Sequence, residues 1–292
     1  MKEENIYNFA ILVNTCDLYE DAWKPFFTLL HIQWPNCPKK IYLNTETKYY
    51  KDEYFDIECI NSNTKISWSD RFILAVNKIQ SSNILFFLED AFLLSPVNEK
   101  ILISALNAIN DNKLNVGAIR FIPHPSPKAY EEEILYNYFS KLPLESSLRN
   151  STIVSLTRKD YLLKLLRKNE NPWEYEKYGS IRSRRYSEKI LIQRSEEKLA
   201  FDFEYQIKYG YGISRKKWLK NNKILFEKFG IECNFSNLGW YDYPISRKIT
   251  GLKRSKKEKL LLPFSNPKDF LKIVSIQLKE GFDIITHIRN RF

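Results

Sequence analysis

The sequence predicts an α/β fold built on a mostly parallel sheet flanked by helices, and three observations predict it. Short, wholly apolar runs at Phe9–Val13, Ile41–Leu43 and Ile84–Leu88 read as strands buried on both faces. Segments with apolar residues at helical spacing separate these runs, which is the βαβ alternation that makes neighbouring strands parallel. The chain has 292 residues, 43% hydrophobic and 15% aromatic, with only 8 glycines, so it can bury a sizeable core without staples.

Each element follows from its own residues. Phe9–Val13 ends in the polar Asn14-Thr-Cys-Asp17. Asp21 to Trp34 places Trp23, Phe26, Phe27, Leu30 and Trp34 on a helical stripe that Pro35 and Pro38 close. Ile41–Leu43 is a second strand. Trp68-Ser-Asp-Arg71 opens a helix with Ser69 as its expected N-cap and Phe72, Val76 and Ile79 on one face. Ile84–Leu88 is the most apolar strand and so is expected at the centre of the sheet. A helix over Asn98–Ile109 and a strand over Val116–Phe121 follow. After the rigid Pro123–Pro127 loop, Ala129–Ser147 reads as a polar excursion, Ser151–Leu156 as a strand and Arg158–Arg167 as a helix ending at Asn171-Pro172. Trp173–Ser180 has no helical stripe. A strand over Lys198–Phe203 and helices over Lys216–Phe229 and Pro267–Arg291 complete the pattern, the last one amphipathic and basic.

The formal net charge is +11, and Ile245–Phe292 carries 12 Lys/Arg against 4 Asp/Glu. Such a tail suits nucleic acid or an anionic membrane surface. The acidic Met1-Lys-Glu-Glu-Asn5 lacks the pattern of a signal peptide, and no apolar run approaches the roughly 20 residues of a membrane span. A cytoplasmic protein, peripheral on the inner face of the plasma membrane at most, is the expectation. Cys16, Cys37, Cys59 and Cys233 are scattered without zinc or redox spacing, and His31, His124 and His287 form no metal motif. No GxGxxG or GxxxxGK[ST] occurs, which argues against dinucleotide oxidoreductases, P-loop NTPases and kinases.

The feature with the most chemistry is Glu89–Asp90, adjacent acids at the end of the central strand, where open α/β sheets bind ligands. Two acids so placed repel unless a cation or donors offset them, and a Mg²⁺ or Mn²⁺ ion bridging to a diphosphate does so. A solvated strand end is the bland alternative. Asn14, Thr15 and Asp17 stand after the first strand, as ligand contacts or as caps of the helix near Asp21. Arg71 stands one helix before the acids, either to meet a diphosphate or to form an ordinary ion pair.

Asn14-Thr-Cys-Asp17, Trp23-Lys-Pro-Phe-Phe27, Trp34-Pro-Asn-Cys-Pro38, Ile41-Tyr-Leu43, Trp68-Ser-Asp-Arg71 and Phe86-Phe-Leu-Glu-Asp90 occur in an order that resembles the GT-A-fold glycosyltransferases of bacterial capsule, O-antigen and lipooligosaccharide gene clusters. Asn171-Pro-Trp-Glu-Tyr-Glu176 and Tyr178-Gly-Ser180 extend the resemblance, which spans roughly residues 9–240. It implies a GT-A-like domain over 1–244 with a Rossmann-like sheet. Residues 1–122 would hold the nucleotide-sugar, 123–244 the acceptor, and 245–292 would be a basic linker and helix.

The resemblance further implies a metal–diphosphate site. Here the usual Asp-x-Asp reads Glu89-Asp90-Ala91, so Asp90 is the expected metal ligand, Glu89 its helper, and dependence on Mn²⁺ or Mg²⁺ an open question. For an inverting transfer, Glu174 and Glu176 are the candidate bases, pointing the same way if their segment is an extended strand, with Glu170 a third choice. Arg182, Arg184 and Arg185 form a basic cluster suited to a departing nucleoside diphosphate, Arg182 and Arg185 being the preferred contacts. Lys216, Lys217 and Trp218 are a further lid or acceptor contact, or a plain helix surface.

The expected function is transfer of a sugar from a nucleotide-sugar to a hydroxyl of a bacterial surface glycan, lipid-linked and held near the membrane by the tail. The alternatives are a nucleic-acid-binding protein, for which no recognition motif is present, and a non-catalytic carbohydrate-binding relative.

Overall fold

A computed structural model describes residues 7–64, 66–123, 134–146, 148–194, 198–203 and 212–241. Met1–Tyr241 forms one compact unit. The expected terminal helix, His124 and most of the proline loop lie outside the described residues.

Twelve strands are described, nine of them in one sheet: β1 (Ala10–Asn14), β2 (Lys40–Asn44), β3 (Asp56–Ile60), β4 (Asn83–Leu88), β5 (Val116–Arg120), β6 (Ile134–Tyr136), β7 (Phe139–Lys141), β8 (Ser155–Arg158) and β9 (Lys189–Gln193). The order is β3-β2-β1-β4-β8-β5-β9-β7-β6. β1 pairs in parallel with both β2 and β4, and β3 continues the parallel set. β8 runs antiparallel between β4 and β5, and β9 returns parallel to β5. The expected mostly parallel sheet is present, and its most apolar strand is interior.

Helices cover both faces, which is why the central strands are apolar on both sides. In β4, Leu85 and Phe87 point to the face covered by α1 (Trp23–Gln33) and α3 (Glu99–Asn110). Ile84 and Phe86 point to the opposite face, covered by α2 (Trp68–Lys78), α4 (Lys159–Leu165) and α5 (Pro172–Arg182). Aromatic pairs such as Phe26–Phe87 and Phe72–Phe86, with ring centroids 5.9 and 5.2 Å apart, fill the layers.

A second, small sheet joins β10 (Ile213–Ser214), β11 (Lys217–Leu219) and β12 (Trp240–Tyr241), with α6 (Asn221–Lys228) against it. Its Trp218 and Phe226 pack on Phe92, just past the end of β4.

Several expectations are corrected. The cap of α2 is Ser67, whose hydroxyl accepts from the Asp70 N–H at 3.1 Å, while the Ser69 hydroxyl accepts from the Glu170 N–H. Asn14, Thr15 and Asp17 cap nothing: the 3₁₀ turn Asp17–Ala22 and α1 both begin without a side-chain cap. The polar excursion contains the β6–β7 hairpin. Ser151–Ile153 precede their strand rather than begin it. Residues 198–203 form no strand; backbone bonds from Asn98 N–H to Ala200 O and Leu94 N–H to Asp202 O tie them to the segment before α3. Lys217–Leu219 is a strand, not helix, because Arg215 and Lys216 adopt φ of 51° and 61° and turn the chain back into a hairpin.

Candidate functional site

Strand order reverses between β1 and β4: the chain leaves β1 toward β2 and β3, then crosses back to lay β4 on β1's other side. A crevice opens outside the carboxyl ends of two such strands, and there open α/β sheets place ligands. The residues at these ends are Asn14 and Thr15 on β1 and Glu89 and Asp90 after β4.

Thr15 is held on three sides. Its N–H donates to Asn44 O at 3.1 Å, its hydroxyl accepts from Trp23 Nε1 at 2.8 Å, and its carbonyl accepts from Arg71 Nη1 at 3.0 Å. Arg71 is therefore a buried clamp on the end of β1 rather than a surface charge, and among the described residues Glu46, at 3.9 Å, is its ion-pair partner. Its Nε has no hydrogen-bond partner, nor has Asn14 Nδ2, although Asn14 Oδ1 accepts from Asn44 Nδ2. Buried polar atoms are normally satisfied, so these two donors stand out at the carboxyl end of β1.

Glu89 and Asp90 are 5% and 7% exposed, so the bland reading of a solvated strand end is excluded. Burial holds the Glu89 carboxyl well above the usual carboxylate range and the Asp90 charge adds to the rise, against its own N–H, Thr15 and Arg71. Burial pushes Asp90 up to about 7, although the Ile213 N–H donates to Oδ2 at 3.0 Å. Burial also raises Cys16 and Tyr19 to about 12, helped by Glu89, so both remain protonated donors beside the acids.

Asp90 also carries a contact that the sequence reading missed. The Gly212 N–H donates to Asp90 O at 2.9 Å, and Gly212 O accepts from Leu219 N–H and Asn222 Nδ2. A Cβ on Gly212 would stand 2.1 Å from Phe92 Cε2 and 3.0 Å from Asp90 O, so only glycine admits this approach. Glycine scarcity is the one hint that the sequence offered.

The remaining expected residues are elsewhere occupied. Asp17 receives hydrogen bonds from Glu46 N–H at 3.0 Å, Thr47 N–H at 3.1 Å and Thr47 Oγ1 at 2.6 Å, stapling the loops after β1 and β2. Burial works against its charge, but these donors hold its carboxyl below the usual range.

Residues 172–182 are a helix, so Glu174 and Glu176 do not point the same way as an extended strand requires. Glu174 closes a capping box with Asn171. Glu176 Oε1 accepts from Ser151 Oγ, Thr152 N–H and Thr152 Oγ1 at 2.9, 2.7 and 2.8 Å, fixing the loop before β8.

Arg182 is 1% exposed and bonded at both ends of its fork to Glu170, at 2.8 and 2.7 Å, and to Leu165 O. This removes both Arg182 and Glu170 from the list of substrate contacts. Arg185 is exposed in the following 3₁₀ turn. Trp218 is fully buried, which excludes it as an acceptor platform, while Lys216 and Lys217 are exposed.

Among the described residues no group of three His, Cys, Asp or Glu side chains is placed to hold a metal. The Glu89–Asp90 pair nonetheless fits a cation that takes one or two carboxylates and completes its shell with phosphate oxygens. Among the described residues no helix is long and apolar enough to cross a membrane.

No family profile and no curated protein matches the sequence. Among solved structures, the S. aureus TarS fragment 1–349 is 13% identical with a TM-score of 0.45, over 65% of this chain and 59% of that one. A cytidylyltransferase from Leptospira borgpetersenii is 10% identical with a TM-score of 0.41, over 81% and 99%. A CMP:2-keto-3-deoxy-manno-octonic acid synthetase complexed with CTP is 12% identical with a TM-score of 0.37, over 63% and 88%. The match thus spans less than two thirds of the TarS fragment, and likeness at this level carries no argument about activity.

Proposed function

We propose that the chain is a GT-A-like glycosyltransferase that binds a nucleotide-sugar in the β1–β4 crevice and transfers the sugar to a hydroxyl of a bacterial surface glycan. One observation carries the reading: two buried carboxylates and the orphan donors of Asn14 and Arg71 converge at the point where the strand order reverses. Acids that burial disfavours as anions can ionise there when a cation replaces their protons, and donors without partners suit an oxyanion. A metal–diphosphate supplies both.

In this reading Asp90, helped by Glu89, holds a divalent cation, which when bound neutralises charge on the departing nucleoside diphosphate. Arg71 Nε donates to a phosphate oxygen while its Nη1 keeps the end of β1 in place. Asn14 Nδ2 and the protonated Tyr19 and Cys16 line the nucleotide side. The Ile213 N–H fixes the Asp90 carboxylate and the Gly212 N–H its backbone carbonyl, so the small sheet acts as a positioning wall. Transfer with inversion needs a carboxylate base. Glu174 and Glu176 would serve only by releasing the contacts that hold α5 and its neighbouring loop. The basic 245–292 tail is assigned to an anionic membrane surface, which would keep the enzyme near a lipid-linked acceptor.

The test is turnover of UDP-, GDP-, CMP- and dTDP-sugars with Mn²⁺ or Mg²⁺, followed by nucleoside phosphate release. Release that depends on sugar-nucleotide and is lost in Asp90→Asn supports the reading. Pyrophosphate release from a nucleoside triphosphate and a sugar phosphate would instead make the protein a nucleotidyltransferase, since the same crevice chemistry serves that reaction. No turnover with either substrate set sinks both.

A further inference from the structure

Arg149, in the segment before β8, is a buried cation with no ion-pair partner among the described residues. It is 3% exposed, and its Nη1 donates to Leu142 O and Pro143 O at 2.5 and 3.1 Å. Nε has no hydrogen-bond partner, and among the described residues no carboxylate lies within ion-pair distance of the group, Glu145 acting on it only at longer range. Burial holds its pKa below the usual arginine value, opposed by Tyr161 and by the carboxylate of Glu145 and reinforced by the like charge of Arg184. Arginine nevertheless stays protonated in proteins, so an anion that enters beside it would be bound by a full positive charge.

Arg149 lines a pocket on the face covered by α2, α4 and α5. The polar part of the wall is Arg120, Arg149, Asn150, Ser151, Ser155 and Thr157, and no acidic side chain lines it. Asn150 and Ser151 are committed to Tyr175 O and Glu176, but the Ser155 and Thr157 hydroxyls share only a long 3.4 Å contact with each other. The cavity itself is small, about 20 Å³, so only a very compact group can enter it.

The pocket is distinct from the β1–β4 crevice. Ser155 pairs with Phe86 on β4 and Arg120 on β5, so the pocket sits over β4, β8 and β5, with Ser155 and Arg120 at the carboxyl edge.

We propose that this pocket binds a phosphate-type oxyanion, with Arg149 as the principal cation and the Ser155 and Thr157 hydroxyls as donors. Charge and hydrogen-bond geometry together select this class: a guanidinium fork matches planar or tetrahedral oxyanions, and hydroxyl donors complete their shell. The anion is either free phosphate or the phosphoryl end of a larger ligand, and both present the same oxygens.

The experiment is thermal melting of the full chain in EDTA at constant ionic strength, with chloride, inorganic phosphate or glycerol phosphate. Ligand at about 100 times its dissociation constant should raise the wild-type Tm by roughly 5–10 °C over chloride. The rise should persist in Asp90→Asn, which separates this pocket from the crevice, and disappear in Arg149→Met. Arg149→Met also strands the Leu142 and Pro143 carbonyls, so each variant's rise is read against its own Tm in chloride. Should that variant fail to fold, the double variant Ser155→Ala/Thr157→Val provides the second reading and should lose most of the phosphate rise. A larger rise with glycerol phosphate identifies a phosphoryl-bearing ligand; a rise with phosphate alone identifies the free anion. No oxyanion-specific rise, or an equal rise in Arg149→Met or the double variant, overturns the proposal.

Discussion

The buried acids around Glu170 and around Glu89 are built to opposite ends. Glu170 meets Arg182 through two bonds of 2.8 and 2.7 Å, and Leu165 O takes the guanidinium's further donors. Glu89 lies beside a second acid, and burial favours protonation of both. The first cluster closes its own charge and holds the loop before α5 to the helix's last turn. The second is stable as drawn only with protons, or with a cation brought from outside. A buried charge that is paired reports on architecture, whereas a buried charge left open reports on a ligand.

The contrast is sharpest in mutants. Asp90→Asn should reduce sugar transfer by at least about a hundredfold, in line with removal of a key electrostatic contact at a reacting phosphate. Its Tm should stay level or rise, because a repelling buried charge is removed; full activity would break the distinction. Arg182→Met should do the reverse. Leaving Glu170 buried and unpaired costs about 3–5 kcal/mol, read as a lower denaturant midpoint, while nucleotide affinity of the folded fraction is retained.

Gly212→Ala lies between the two. The added Cβ collides with Phe92, so the small sheet must shift off Asp90. Overpacking of this kind costs about 1–3 kcal/mol, and here transfer should fall with stability.

The pH dependence follows the same logic with a defined sign. Asp90 has an ordinary pKa of 3.8 and a folded value of about 7. A carboxyl raised in this way contributes its stability below pH about 4 and loses it as pH rises toward 7. Without cation the Tm should therefore decline across that window, and the decline should flatten in Asp90→Asn. A wild-type curve as flat as that of the variant would show that the pair is not strained. The smallest effect belongs to Glu174→Gln, which retains most of the capping box. It should change stability by under about 1 kcal/mol and leave transfer unaltered; a large loss of kcat alone would restore Glu174 as the base.

The legible parts of the fold were the ones whose physics is local. Leu85 and Phe87 face one core, Ile84 and Phe86 the other, and such a run has few alternatives to a central strand. Since ligands gather at the carboxyl ends of parallel strands, Asn14, Thr15, Glu89 and Asp90 could be named from position alone.

What was misread depended on partners distant in sequence or on competing local patterns. Asn171-Pro172 with Glu174 is a capping box with proline at the first helical position, and the signal was present. The segment shows no helical stripe because Trp173 is 76% exposed and the apolar burial begins at Tyr175. Arg182 looked like phosphate-binding chemistry because its partner is Glu170, which composition cannot connect to it. The approach of Gly212 to Asp90 joins residues far apart in the chain, and no periodicity announces it.

The central claim is that the open cluster takes a cation and a nucleoside diphosphate together. Calorimetric titration of UDP, GDP, CDP and dTDP into wild type and Asp90→Asn, each with Mn²⁺ and with EDTA, tests it most directly. The account predicts binding of one diphosphate to wild type that weakens at least about tenfold in EDTA, a loss of about 1.4 kcal/mol, and a comparable weakening in Asp90→Asn even with Mn²⁺. Equal affinity in all four conditions, or no binding of any of the four nucleotides, would contradict it.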